Sequence, residues 1–242
     1  MLHFPAMGYE RYLCKFWSPH VTHRGAITFD VNVTGMHHHV SLYSCTYNVV
    51  PSHTVFDCTH PVVPKCREMI FTFSKGTASI PNDVSFVAPR VVLVQLHSLN
   101  MPVSISINML HASSFAFPVR FVEIGPRIFR RRTSIISGGC DNTCFQNNTI
   151  RARYALLHMH HYGVSACVRI ATRQWCVEPN GTNVFIPFEE NITTNIEVRC
   201  TYQHSVIVPG MLHSEEMCFL HLLASSSVIH CWKDKIEYNC LK

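Results

Sequence analysis

The chain of 242 residues is 47% hydrophobic and only 14% charged, with a formal net charge of +5. That is too apolar for a disordered polymer and long enough for one large domain or two, each burying its own core. No apolar run approaches the ~18 residues of a membrane-spanning helix, and the first seventeen residues lack the basic-then-apolar pattern of a secretory signal. A mature ectodomain fits that start, with any membrane association arising through a segment not in this chain.

In chain order, period-two alternation first appears in AITFDVNVT (26–34), with Ile27, Phe29, Val31 and Val33 on one face and Thr28, Asp30, Asn32 and Thr34 on the other. Further strands are expected at 40–49, 69–73 and 91–96, and then in VSISINM (103–109), where Val103, Ile105, Ile107 and Met109 share a phase. Residues 115–122 follow, then VSACVRI (164–170), 183–188, ITTNIEVRCTY (192–202), 205–208 and 228–232. Turn-forming clusters such as SIPND, LNMP and EPNGTN separate many of them. One segment, 215–224, opens on acidic residues suited to a helix N-terminus, although its apolar run reads equally as a buried strand. The fold class expected is all-β, with antiparallel β-sandwich-like domains.

Twelve cysteines make an even set and permit six bridges: Cys14, Cys45, Cys58 and Cys66 in the first half, and Cys140, Cys144, Cys167, Cys176, Cys200, Cys218, Cys231 and Cys240 in the second. Asn32, Asn147, Asn180 and Asn191 each head an N-x-[ST] sequon, about twice the number that chance supplies. Bridged cysteines and sequons together imply a disulfide-stapled, glycosylated chain that is secreted or displayed on a cell or virion surface.

The domain expectation is an N-terminal β domain over 1–124, an arginine-rich hinge over 125–139 containing Gly125-Pro126 and Gly138-Gly139, and a C-terminal β domain over 140–242. Charge is segregated along the chain: residues 1–83 net +1, residues 84–177 net +8 with ten arginines and no lysine, and residues 178–242 net −4. Guanidinium groups match carboxylate, sulfate and phosphate in bidentate fashion. Arg127, Arg130, Arg131 and Arg132, with Arg151 and Arg153, therefore form the expected partner-binding patch, for a protein receptor or ligand or a sulfated glycosaminoglycan rather than nucleic acid. A solvated linker explains the same run, and Arg127-Ile-Phe-Arg130 also meets a minimal R-x-x-R cleavage pattern, without a basic residue before the final arginine.

Seventeen histidines cluster at His37–His39 and at His158, His160 and His161. The plain reading places them on wet strand faces; a pH switch is the functional one. Cys140-x3-Cys144 followed by His158-x2-His161 approaches zinc-finger spacing, but the histidine pair is one residue too close, so no metal or cofactor is expected. Trp175-Cys176 and Cys231-Trp232 suggest tryptophans packed on neighbouring bridges. No catalytic motif is present: there is no G-x-S-x-G, H-E-x-x-H, P-loop or G-x-G-x-x-G. The expected function is non-enzymatic binding by an extracellular or virion-surface glycoprotein. The alternative is an intracellular regulatory or nucleic-acid-binding protein with reduced cysteines and a zinc site.

Overall fold

The computed structural model describes residues 1–6, 11–19, 25–35, 37–46, 49, 54–58, 65–66, 68–73, 77–98, 101–126, 134–141, 143–145, 149–159, 162–177, 185–203, 216–228, 230–233 and 238–241. At 37, 38, 73, 77, 78, 98, 233 and 238–241 the backbone alone is described. The chain divides into two compact units, Met1–Val119 and Arg120–Lys242. Among the described residues every regular element is a strand.

The first unit contains β1 (Leu2–Phe4), β2 (Arg11–Trp17), β3 (Ala26–Thr34), β4 (His37–Ser44), β5 (Phe56–Asp57), β6 (Glu68–Phe73), β7 (Thr77–Ser79), β8 (Val84–Val87), β9 (Val92–Ser98), β10 (Val103–His111) and β11 (Phe117–Pro118). They form sheet I, in the order β1-β10-β3-β8-β11 with β7 on β3, and sheet II, in the order β5-β2-β9-β4-β6. The alternation of AITFDVNVT is realised as written: Ile27, Phe29, Val31 and Val33 are buried while Asn32 and Thr34 are exposed. Phe29 meets Phe71 of sheet II edge-on at 5.3 Å, a favoured aromatic geometry that ties the two layers. Gly35, at φ 110°, turns the chain out of β3 in a region that L side chains rarely adopt.

Sheet II is covered on its other face too. Tyr12, Cys14, Cys45, Cys58, Cys66, Val91 and Leu93 form a second small core there. Bridges Cys14–Cys58 and Cys45–Cys66 close it.

The second unit contains β12 (Arg120–Pro126), β13 (Ile135–Cys140), β14 (Ile150–Met159), β15 (Gly163–Ile170), β16 (Arg173–Val177), β17 (Ile186–Ile192), β18 (Ile196–Tyr202), β19 (Cys218–Ser225), β20 (His230–Lys233) and β21 (Tyr238–Leu241). Sheet III runs β17-β14-β19-β12-β20-β21 and sheet IV runs β13-β18-β15-β16. Pairing is antiparallel except for β12 with β20, and for β11 with β8 in the first unit. Val122, Ile124, Ile150, Leu220, Leu222, Val168, Ile196 and Val198 belong to one core between the two sheets. Cys140–Cys231 and Cys200–Cys218 each join sheet IV to sheet III through that core, and all four cysteines are fully buried.

Of the two readings of 215–224, the described residues take the buried strand: β19 is buried at seven of its eight positions, so its apolar run is that of a central strand covered on both faces. The units divide at Val119–Arg120, and the glycines of the expected 125–139 hinge stand in strands β12 and β13. Gly138 lies against the backbone of Gly125, where any side chain would collide with it. Gly125 and Gly138 let two strands approach closely there. The expected strand at 205–208 lies outside the described residues, as do 127–133.

Candidate functional site

Of the expected arginine patch, Arg127, Arg130, Arg131 and Arg132 lie outside the described residues, on the chain between β12 and β13. Arg151 and Arg153 both stand on β14. Arg151 is exposed and opposite Asn191 of β17. Arg153 is turned by a β-bulge between Ala152 and Tyr154 and pairs with Glu189 of β17 at 3.0 Å.

Two more ion pairs repeat the pattern. Arg173 of β16 meets Glu190 of β17 at 2.9 Å, and Arg169 of β15 meets Glu197 of β18. All three join the basic segment 84–177 to the acidic segment 178–242, so charges segregated in sequence become interleaved in space. Each pair is partly solvated, and such pairs fix register more than they add stability. The Arg173–Glu190 pair also bridges the edge strands of two different sheets. Beside it Trp175 packs edge-on against Phe188 at 5.6 Å, and Arg173 lies 5.4 Å over the Trp175 ring. Trp175 therefore packs on an aromatic ring of the facing sheet, and Trp232 meets His230 at 5.1 Å.

Four strand histidines, His39, His97, His158 and His221, are buried and not on wet faces, whereas His3 and His111 are exposed. In sheet II, Tyr12 stacks on His97 at 4.4 Å and His39 meets His97 edge-on at 5.0 Å. These sites are the nominally outer phase of their strands, and covering both faces of a sheet buries that phase.

In sheet III one cross-strand row runs Leu156, His221, Glu123, His230 across β14, β19, β12 and β20. Nδ1 of His221 lies 3.8 Å from one Glu123 oxygen, and Nδ1 of His230 lies 3.4 Å from the other. Phe121, Phe219 and His158 surround His221 at ring distances of 5.0, 6.0 and 6.2 Å. Glu123 would favour the imidazolium, but at 3.8 Å it makes no hydrogen bond, and His221 itself is buried. Burial, and then the charge of His230, push His221 down to about 3.

Cys140 of the zinc-like spacing is bonded to Cys231, and His160 and His161 lie outside the described residues. No group of three His, Cys, Asp or Glu placed to hold a metal ion occurs among the described residues. Cys144 is buried in the core between sheets III and IV, and the side chain of Cys240 lies outside the described residues.

The fifth described bridge, Cys167–Cys176, lies on the outer face of sheet IV. It joins residues directly opposite each other in β15 and β16, and Cys176 is exposed. Asn32 and Asn191 are both exposed, in mid-strand and near a strand end respectively; Asn147 and Asn180 lie outside the described residues. In the first unit, Trp17, Pro19, Asp30, Ile107, Asn108, Met109 and Leu110 line an open depression of about 400 Å³. Asp30 is its one ionisable side chain among the described residues.

No protein-family model matches the chain, and no curated protein matches it. The geometry alone carries the functional reading. Five bridges and two layered β units suit an oxidising, extracellular setting.

Proposed function

We propose that the chain is the extracellular part of a glycoprotein that works by binding a macromolecular partner and catalyses no reaction. The observation that carries this reading is the covalent stapling of each unit. Two bridges close the outer core of sheet II, two more cross the core between sheets III and IV, and the alternative with reduced cysteines forgoes all of them. Exposed sequons at Asn32 and Asn191 support it, since a glycan needs an asparagine that solvent reaches. Rigid β scaffolds of this kind serve to display loops and charged faces.

The partner-binding segment in this reading is Arg127, Arg130, Arg131 and Arg132, with Arg151. Arg153 is already engaged by Glu189. The partner class is a protein receptor or ligand, or a sulfated glycan, on a cell or virion surface.

The test is the intact mass of secreted protein, alkylated under denaturing conditions with and without prior reduction, after enzymatic removal of N-glycans. Cysteines that alkylate only after reduction, with deglycosylation marks at Asn32 and Asn191, support the reading. Free thiols throughout and no glycan would end it. For the partner, heparin retention should fall when Arg130, Arg131 and Arg132 are changed to Glu; unchanged retention removes the anionic glycan from the reading.

A further inference from the structure

The bridges of the second unit differ in what depends on them. Cys140–Cys231 and Cys200–Cys218 are fully buried and hold two sheets together over separations of 91 and 18 residues. Cys167–Cys176 closes only 9 residues, within one sheet. Its two strands are already joined by the Ala171-Thr172 turn and paired in register from Ala166↔Val177 to Ile170↔Arg173. Neither cysteine belongs to the core between the sheets. Removing this crosslink leaves the ladder in place.

Its surroundings suit sulfur chemistry. Cys176 is exposed and Cys167 is half-buried, so solvent reaches the bridge from the Cys176 side. Arg199 of β18 lies directly opposite Cys167 on the strand's other neighbour, and is itself exposed. Directly opposed residues on one face of a sheet hold their Cβ atoms ~5 Å apart, within reach of a long guanidinium side chain. The amide Nε2 of Gln174 donates to Cys176 Sγ at 3.2 Å. A cation beside a sulfur stabilises its thiolate, and a more stable thiolate leaves faster in exchange.

We propose that Cys167–Cys176 is a thiol-exchange site that accepts an external thiol at Cys176. The incoming thiolate attacks Cys176 Sγ and forms a mixed disulfide. The Cys167–Cys176 bond breaks and its electron pair leaves on Cys167 Sγ, as a thiolate facing Arg199. A second external thiolate then attacks the mixed disulfide, expelling Cys176 as a thiolate. The two external thiols end as one disulfide, and both cysteines take up protons from water to become a dithiol. Arg199 is a positioning residue for the leaving sulfur, and Gln174 polarises the attacked one. Reduction leaves edge strand β16 held by its backbone ladder and by the Arg173–Glu190 and Trp175–Phe188 contacts to β17.

The experiment incubates the folded full chain with reduced glutathione, quenches with an alkylating reagent at timed intervals and maps each cysteine by peptide mass spectrometry. Cys167 and Cys176 should become labelled at least about tenfold faster than Cys140, Cys231, Cys200 and Cys218, with glutathione trapped on Cys176 at early times. Arg199→Gln, which removes the cation beside the leaving sulfur, should slow that labelling about threefold and leave the thermal midpoint unchanged. Labelling of all six cysteines at one common rate would overturn the proposal, and an unaltered rate in Arg199→Gln would remove the role given to Arg199. A Cys167→Ser/Cys176→Ser variant guards against a purely structural bridge. It should fold with a wild-type circular-dichroism spectrum, and its failure to fold would also overturn the proposal.

Discussion

Gly138 of β13 lies directly against the backbone of Gly125 of β12, with the ring of Phe219 on the opposite side of Gly125. A β-carbon at Gly138 would collide with the Gly125 carbonyl group, and one at Gly125 would collide with the Phe219 ring. Sheets III and IV meet here at backbone-to-backbone distance. Gly138→Ala must therefore push two strands apart and should destabilise the unit by about 3 kcal/mol. Gly25→Ala, where nothing lies within 4 Å, is the control and should be close to neutral. Urea unfolding of both variants decides it; equal midpoints would refute the close packing.

His221 gives stability a definite pH dependence. In the folded state burial holds it neutral down to about 3, while in the unfolded chain it takes up a proton near its ordinary 6.5. The unfolded state therefore binds more protons between those values, and stability falls as pH drops below about 6.5. At pH 5 the loss from this one group is about 2 kcal/mol. Glu123 from β12 opposes the effect by favouring the imidazolium, while His230 from β20 adds to it. His158 from β14 also faces the site. His221→Phe, which keeps the aromatic packing with Phe121 and Phe219, should unfold with a smaller difference between pH 7.5 and pH 5. An identical difference in the two proteins would exclude His221 as its source.

Tyr202 is held by its phenol. Its hydroxyl donates to the carbonyl of Met217 at 2.7 Å, and burial followed by the charge of Glu216 holds it protonated far above its ordinary range. Tyr202→Phe leaves that buried carbonyl without its donor and should cost about 1–2 kcal/mol. In the wild type the ultraviolet signature of tyrosinate should appear for this residue only as the fold is lost at high pH. Its appearance in a folded protein would contradict the burial.

The inter-sheet bridges should matter unequally to stability and to the hairpin. Loop-closure entropy assigns Cys140–Cys231 about 4–5 kcal/mol for its 91 residues, against about 2.5 for the 9 residues of Cys167–Cys176. A Cys140→Ser/Cys231→Ser protein, which also puts two hydroxyls in a core, should lose most of its near-ultraviolet signal at temperatures where the hairpin variant stays folded. Equal midpoints would mean that the core does not need the crosslink.

The all-β class was legible wherever one face of a strand stays wet, as in β3 and in β15, because alternation then writes the sheet's two sides directly into the sequence. It was illegible where that condition fails. β14 carries a bulge at Ala152/Tyr154 that moves its buried positions from Ile150 and Ala152 to Ala155, breaking the period-two pattern mid-strand. β19 is apolar on both faces and had no phase to read. His39, His97, His158 and His221 misled for the same reason, since a polar phase reads as wet unless a second cover is known. Glycine pairs look alike whether they loosen a turn or admit a neighbouring strand, and only the contact of Gly125 with Gly138 separates the two. For the arginines, composition revealed a basic block but not that Glu189, Glu190 and Glu197 lie within ion-pair reach of Arg153, Arg173 and Arg169.

The place of β19 has a consequence for how the chain is made. It lies between β14 and β12, yet it begins only at Cys218, so two strands finished by residue 159 have no partner on that side until residues 218–225 have emerged. Cys140 likewise waits for Cys231, and Cys200 for Cys218. Throughout that interval the growing chain presents bare strand edges and unpaired thiols to whatever surrounds it. The second unit therefore cannot close until its last strands have been made, and an oxidant or a competing strand that arrives before then meets it open.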